Sequence, residues 1–297
     1  MPAESPALSC ETTSRWSVLA VATVGLAHLE KMPAIPCQDA AGGLSQPRPV
    51  LVVADGAGSS PASDLGARTL VTGILRLADS LEAQLARLLD AQEAPSPVAL
   101  EQLAELLFRH ARGTLMDRAA EQGRPARDLR CTLLLALMGC ERLLWLKVGD
   151  GEIVVERAVP LVKVEDEKTE EANEAQGGES YELMPKLSTL GERGKGEFAN
   201  QTRFVDDQLT FGQVQYGCEA MASLTGIALM SDGAAEKLVA HDGASVSGQI
   251  SHWLDDLRQG TLRQRDLVRL FYSENFCRGT SGDDRSIALA AREMNFL

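Results

Sequence analysis

The sequence predicts an α+β fold built on antiparallel strands, and three observations carry the prediction. Apolar runs follow one another between residues 130 and 158 with no helix-length pattern between them, which argues for antiparallel pairing. Stretches with apolar residues at three- and four-residue steps lie on both sides of that block and read as helices. Aspartates flanked by glycines stand where strand runs begin or end. The chain has 297 residues, 44% of them hydrophobic, which suffices for a sizeable buried core.

Residues 1–14 (MPAESPALSCETTS) are small and polar and read as a disordered tail, leaving 15–297 as a single domain. A strand is expected within 16–27. The run from Trp16 to Leu29 is too short to span a bilayer. Glu4 and Glu11 oppose the lone Arg15 before it, and no small-residue cleavage site follows, so it reads as a buried strand and not as a signal segment. Residues 50–54 (VLVVA) form a second strand that ends at Asp55-Gly56. Leu70, Ile74, Leu77, Leu81, Leu85 and Leu88 mark a long helix with Ser63 as its N-cap. The segment Glu93-Ala-Pro-Ser-Pro97 breaks it. Leu100, Leu103, Leu107 and Ala111 mark a second helix, expected antiparallel to the first.

A hairpin is expected through 130–138 and 142–148, turning at Gly139-Cys140-Glu141. Gly149-Asp150-Gly151 then opens a third strand at 152–158. Residues 165–180 (EDEKTEEANEAQGGES) read as an acidic surface loop, and 186–217 as a glycine-rich, irregular lid or flap, so that 165–217 is one insertion. A strand at 226–230 ends at Ser231-Asp232-Gly233. Helices are expected around 244–258 and 261–275, and a last strand at 286–290 follows Gly282-Asp283-Asp284-Arg285.

Net charge is −13, which leaves no electrostatic footprint for nucleic acid or an anionic membrane. Six cysteines show neither zinc-site nor redox-pair spacing and read as free thiols of a cytoplasmic protein.

The chemistry lies in the aspartates. Asp55, Asp150 and Asp232 each follow a strand run, Asp283 precedes one, and Asp39 stands before the strand leading to Asp55. If the last two strands are antiparallel, Asp232 and Asp283 meet at one sheet edge. A single Asp-Gly reads first as a turn. Four aspartates at the ends of strongly apolar strands read as a convergent carboxylate cluster, which cannot all ionise without a cation among them. Oxygen ligands favour magnesium or manganese over zinc.

The motifs Pro36-Cys-Gln-Asp-Ala40, Ala54-Asp-Gly-Ala-Gly58, Gly149-Asp-Gly151, Ser231-Asp-Gly233 and Gly282-Asp-Asp-Arg-Ser286, in this order, resemble the metal-dependent protein phosphatase 2C family, in particular its compact bacterial branch. Gly196-Glu-Phe-Ala-Asn-Gln-Thr202 also resembles a segment of that branch, and the likeness covers about residues 16–292. It implies a four-layer α/β/β/α sandwich of two stacked antiparallel sheets flanked by helix pairs. It implies hydrolysis of phosphoserine and phosphothreonine by a water activated at two divalent cations, manganese or magnesium. By position, the catalytic centre is Asp39, Asp55, Asp232 and Asp283. Asp39 and Asp55 would be central ligands with Asp55 bridging, the Gly56 carbonyl would bind one ion, and Asp232 and Asp283 the other. Asp150 would help hold a third, weaker ion, and Gln38 would orient a water. Asp284 would sit beside the site without binding. A phosphorylated protein and a cognate serine/threonine kinase are the implied partners.

Two departures stand out. The histidine that some members carry after Asp-Gly is Ala57 here. The arginine that grips phosphate before the first motif is missing near Ala34, which leaves His28 and Lys31 as the basic candidates, with Arg68 and Arg203 behind them. A pseudo-phosphatase that binds a phosphoprotein without turnover is the alternative reading. Another magnesium enzyme, acting on small phosphates or nucleic acid, is the third, and the acidic composition disfavours the nuclease.

Overall fold

A computed structural model describes residues 15–160, 183–192 and 202–293. In chain order these form β1 (Trp16–Thr23), α1 (Leu26–Leu29), β2 (Ala40–Leu44), β3 (Val50–Ala54), α2 (Ser63–Ser80), α3 (Glu82–Leu89), α4 (Pro97–Glu121), β4 (Leu133–Met138), β5 (Arg142–Val148), β6 (Glu152–Pro160), β7 (Leu183–Leu190), β8 (Gln215–Ala220), β9 (Leu224–Met230), α5 (Asp232–Ala235), α6 (Gln249–Arg258), α7 (Gln264–Phe271), α8 (Glu274–Cys277) and β10 (Arg285–Arg292).

Among the described residues two five-stranded sheets form, ordered β1-β10-β9-β6-β7 and β2-β3-β4-β5-β8. Every strand pairing is antiparallel. The central strands are apolar throughout because both of their faces are buried. Leu51 and Val53 of β3, Leu134 and Ala136 of β4, Ile227 and Leu229 of β9, and Ala288 and Ala290 of β10 share the core between the sheets. The alternate residues point outward: Val50, Val52, Leu133 and Leu135 meet α2, α3 and α4, and Ala228, Met230, Ile287 and Leu289 meet α5 to α8. The period-2 alternation of a strand thus fills three apolar layers and yields the expected four-layer sandwich.

On the outer face α2 and α4 run antiparallel: Gly73 lies against Thr114, and the Arg68 end shares a groove with the Glu121 end. Ser96 caps α4 by accepting from the Ala99 N–H at 3.2 Å, with Pro97 at the first helical position.

The structure corrects five expectations. Ser63 is not the N-cap of α2: Ala62 holds that position without a side-chain cap, and the Ser63 hydroxyl instead accepts from Gln38 Nε2 at 2.8 Å. The long helix expected through Leu88 divides at Leu81 into α2 and α3. The first strand stops at Thr23, and the residues from Leu26 turn into α1. The third strand of the 130–158 block, β6, does not pair with β5 but crosses to the other sheet between β9 and β7. Gly149-Asp150-Gly151 is therefore a crossover between sheets and not a hairpin turn. The flap expected over 186–217 contains two regular strands at its ends, β7 and β8. The tail 1–14, the acidic loop 165–180 and residues 193–201 of the expected flap lie outside the described residues.

Candidate active site

Seven segments of the chain meet at one end of the sandwich and line a cavity of about 180 Å³. The β9–β10 pairing sets Met230 opposite Ile287, so the strand that ends before Asp232 and the strand that begins after Asp283 meet at one edge. The crossover from β5 to β6 brings Asp150 to the same edge, where Glu152 pairs with Met230. Asp55 and Gly56 arrive from β3, and Gln38 from the loop before β2. Carboxylate oxygens of Asp55, Asp150 and Asp232 lie within 4.8 Å of one another.

Local geometry holds each carboxylate in place. The Asp55 N–H donates to Thr132 Oγ1 at 2.9 Å, and the Thr132 N–H returns to the Asp55 carbonyl at 2.7 Å. Gly56 is pressed between Gln38 and Ser63: a Cβ there would lie 2.7 Å from the Gln38 carbonyl and 2.8 Å from Ser63 Cβ. Gly149 takes a φ of +106°, in the left-handed range that glycine tolerates. Thr202 Oγ1 donates to Asp150 Oδ2 at 2.7 Å. Asp232 opens α5 and accepts from the Gly233 N–H at 2.6 Å. Arg285, fully buried, donates to Thr280 Oγ1 at 3.0 Å and to the Phe271 carbonyl, and it tethers the loop that carries Asp283.

The electrostatics are those of crowded acids. Burial pushes Asp39 up to about 7, with Asp284 and Asp232 adding to the rise and the Ser231 and Ser286 hydroxyls opposing it. Asp55 is pushed well above the usual carboxylate range, first by burial and then by Asp39, Asp232, Asp283 and Asp150. Asp232 rises to about 6 through burial and its neighbours Asp150 and Asp283. Asp39 Oδ2 is buried without a hydrogen-bond partner. An unsatisfied buried acceptor costs about 1–3 kcal/mol, and a hard cation removes that cost along with the mutual repulsion. The donor set thus fits magnesium or manganese.

His28 lines the cavity from α1. Its Nδ1 is 2.9 Å from Asp284 Oδ1, and its Nε2 is 3.7 Å from Asp283 Oδ1. Lys31 is exposed and is not among the cavity-lining residues, and neither is Arg203, which donates to the Gln213 carbonyl at 3.3 Å. Arg68 lies on the outer groove of α2, paired with Asp64 at 2.6 Å. Phe204 and Arg130, whose guanidinium lies over the Phe204 ring, escaped the sequence reading, and Thr202 entered it only as the end of the 196–202 motif, with no role. No strand end or glycine pair flags them.

The family profile described as Protein phosphatase 2C matches residues 24–270. No curated protein matches the chain. Among solved structures, the serine/threonine phosphatase Stp1 from Staphylococcus aureus superposes with a TM-score of 0.58 at 14% identity, covering 98% of this chain and 100% of that one. The catalytic domain of the serine threonine protein phosphatase PstP, solved with two manganese ions, gives 0.54 at 15% identity, over 93% and 98% of the two chains. PppA, a regulatory component of the T6SS in Pseudomonas aeruginosa, gives 0.53 at 18% identity, over 94% and 98%.

Proposed function

Because the chain belongs to the protein phosphatase 2C family, we propose that it is an active phosphoprotein phosphatase that hydrolyses phosphoserine and phosphothreonine with two divalent cations, manganese or magnesium. The observation that carries this reading is the intact cluster: three carboxylates within 4.8 Å of one another, beside a buried Asp39 oxygen with no partner. In this reading Asp39, Asp55 and the Gly56 carbonyl would hold the cations at the centre. Asp232 and Asp283 would complete the set, and Asp150, steadied by Thr202, would serve a third and weaker ion. Cations held there would lower the pKa of a water and offset charge on the phosphoryl oxygens.

The remaining roles fall to the chain itself. Gln38 donates its Nε2 to Ser63, so its side-chain oxygen is the atom left to orient a water. His28 is the phosphoryl contact, since its ring reaches the cavity where Lys31 does not. A thiolate nucleophile is not needed: burial, Asp284 and Asp39 push the Cys37 thiol upward and keep it protonated. The thiols of Cys37, Cys131, Cys218 and Cys277 are free, which suits the reducing, cytoplasmic setting of this reading. Substrates would be proteins phosphorylated by a serine/threonine kinase.

A second reading, a phosphoprotein-binding pseudo-phosphatase, draws on Ala57, which supplies no proton donor beside Asp55. The complete aspartate set favours turnover. Manganese-dependent hydrolysis of p-nitrophenyl phosphate and of a phosphoserine peptide tests the choice. Wild type is expected to turn over both, and Asp55→Asn and Asp232→Asn to lose about a hundredfold or more, the scale on which electrostatic stabilisers of a transition state act. Undiminished activity in either variant sinks the site assignment. A wild type inert with every divalent metal favours the pseudo-phosphatase.

A further inference from the structure

The four residues of α1 include no buried one, yet two of them are leucines. Leu26 and Leu29 share a face of the helix, and Met32 follows at the same three-residue step. All three are exposed, Met32 by 96%. Tyr272, just after α7, is exposed as well, and its hydroxyl donates to the Val24 carbonyl at 2.7 Å, two residues before Leu26. Single exposed apolar side chains are ordinary. Here four of the ten large ones exposed among the described residues gather around one turn of helix, and a gathered patch is the kind that marks a contact surface. The segment is held by backbone bonds and not by its side chains. The Gly25 N–H donates to Asp284 Oδ1 at 2.6 Å and the Ala27 N–H to the Gly282 carbonyl at 2.9 Å. The Lys31 and Ile35 N–H groups both donate to the His28 carbonyl, at 3.3 and 3.1 Å. They close residues 28–35 into a loop whose tip, Met32-Pro33-Ala34, is exposed throughout. The apolar side chains therefore stand on a fixed backbone, and burial against another molecule is the favourable step left to them.

His28, whose carbonyl anchors this loop, also lines the cavity, and Leu29 is its neighbour in the chain. The cavity, at about 180 Å³, is smaller than the roughly 300–1,000 Å³ of pockets that enclose a whole small ligand. A polypeptide whose phosphate enters it must continue over the rim. We propose that Leu26, Leu29, Met32 and Tyr272 form an apolar shelf on that rim. It takes the apolar side chains that flank the phosphorylated residue in an extended segment of the substrate protein. The proposal rests on the reading of the cavity as a phosphomonoester site, and continuity with that cavity names the occupant. Glu30 and Lys31, both exposed, cancel in charge, so the shelf selects by apolar contact and not by sign. The unbranched, polarizable side chain of Met32 fits apolar partners of differing shape.

The test is steady-state hydrolysis by the full, manganese-loaded chain. Phosphoserine peptides of equal charge carry leucine or serine at the two positions before the phosphoserine, or at the two after it. The control is p-nitrophenyl phosphate, which has no flanking residues. Wild type is expected to show a kcat/KM about tenfold higher with leucines on one of the two sides, the order expected for burying one leucine side chain. The double variant Leu29→Ser with Met32→Ser is expected to bring that ratio within about twofold of one. Turnover of p-nitrophenyl phosphate, manganese affinity and melting temperature are expected to stay close to wild type, because both side chains are exposed. Should the double variant alter turnover of the control, Met32→Ser alone decides the matter, with an expected fall in the ratio of about threefold. An active wild type that treats leucine and serine peptides alike overturns the proposal and leaves the phosphatase reading standing. A leucine preference that both variants keep does the same. A wild type that is dimeric in sedimentation and monomeric in the double variant places a second copy on the shelf and overturns the proposal too. A wild type that hydrolyses none of these substrates with any divalent metal overturns the phosphatase reading itself, and the proposal with it.

Discussion

Carboxylates that need a cation leave a mark on the metal-free protein. Burial raises Asp39 to about 7 and Asp232 to about 6, above the value of about 3.9 that an unfolded chain gives. Between those values the folded state binds more protons than the unfolded one, so stability falls as pH rises through that window. The metal-free protein is expected to melt at lower temperature at pH 7.5 than at pH 5.5 in thermal scans. Asp39→Asn is expected to flatten the difference, and manganese at pH 7.5 to raise the melting temperature of the wild type. A wild type whose melting temperature rises with pH without metal contradicts this assignment. Asp55, Asp150, Asp232 and Asp283 were legible in the sequence because each stands next to a glycine beside an apolar run, and Asp39 through the order of the motifs. The bonds that hold them were not. Asp284 meets Gly25 across 259 residues and Gln38 across 246, and Thr202 meets Asp150 across 52. Nothing local encodes such pairs.

The crossover at Gly149-Asp150-Gly151 shows which parts of the elements could be read. The strands β3, β4, β5, β9 and β10 were legible because burial on both faces makes them apolar runs. The sheet that β6 joins was not, because a glycine-flanked aspartate has the same local pattern in a hairpin as in a crossover. The edge strands β7 and β8 were hidden for the opposite reason: β7 is mostly exposed and β8 only partly covered, so neither shows an apolar pattern. The crossover also carries a prediction. A Cβ on Gly151 would lie 2.6 Å from the Met230 carbonyl and 2.9 Å from Leu134 Cδ1. Gly151→Ala is expected to cost about 1–3 kcal/mol in urea unfolding, the range for overpacking a tight site. It is also expected to weaken manganese binding, because the shift moves Asp150 relative to Asp232. Unfolding and metal binding both at wild-type values would show that the crossover does not set the spacing of the carboxylates.

At the scale of the whole molecule, two sheets and their outer helices bring residues 28 to 284 to one end of a four-layer sandwich, and the order of the motifs along the chain made that architecture legible before any coordinate. The molecule carries a net charge of −13. Long-range repulsion then disfavours acidic phosphopeptides and fades with salt. In steady-state kinetics at low ionic strength, a phosphoserine peptide with basic flanks is expected to show a higher kcat/KM than one with acidic flanks, and the gap to narrow at about 0.5 M salt, where the screening length falls below 10 Å. An unchanged gap would mean that contacts at the rim, and not the field of the molecule, choose the substrate. The central claim is that the aspartates at the strand ends form one cation site, and calorimetric titration of the metal-free chain with manganese tests it most directly. Saturable binding at neutral pH, with protons released as the raised carboxyls ionise and with most of the heat lost in Asp55→Asn, is the predicted result. Manganese binding of equal strength and stoichiometry in Asp55→Asn, or none in the wild type, would contradict it.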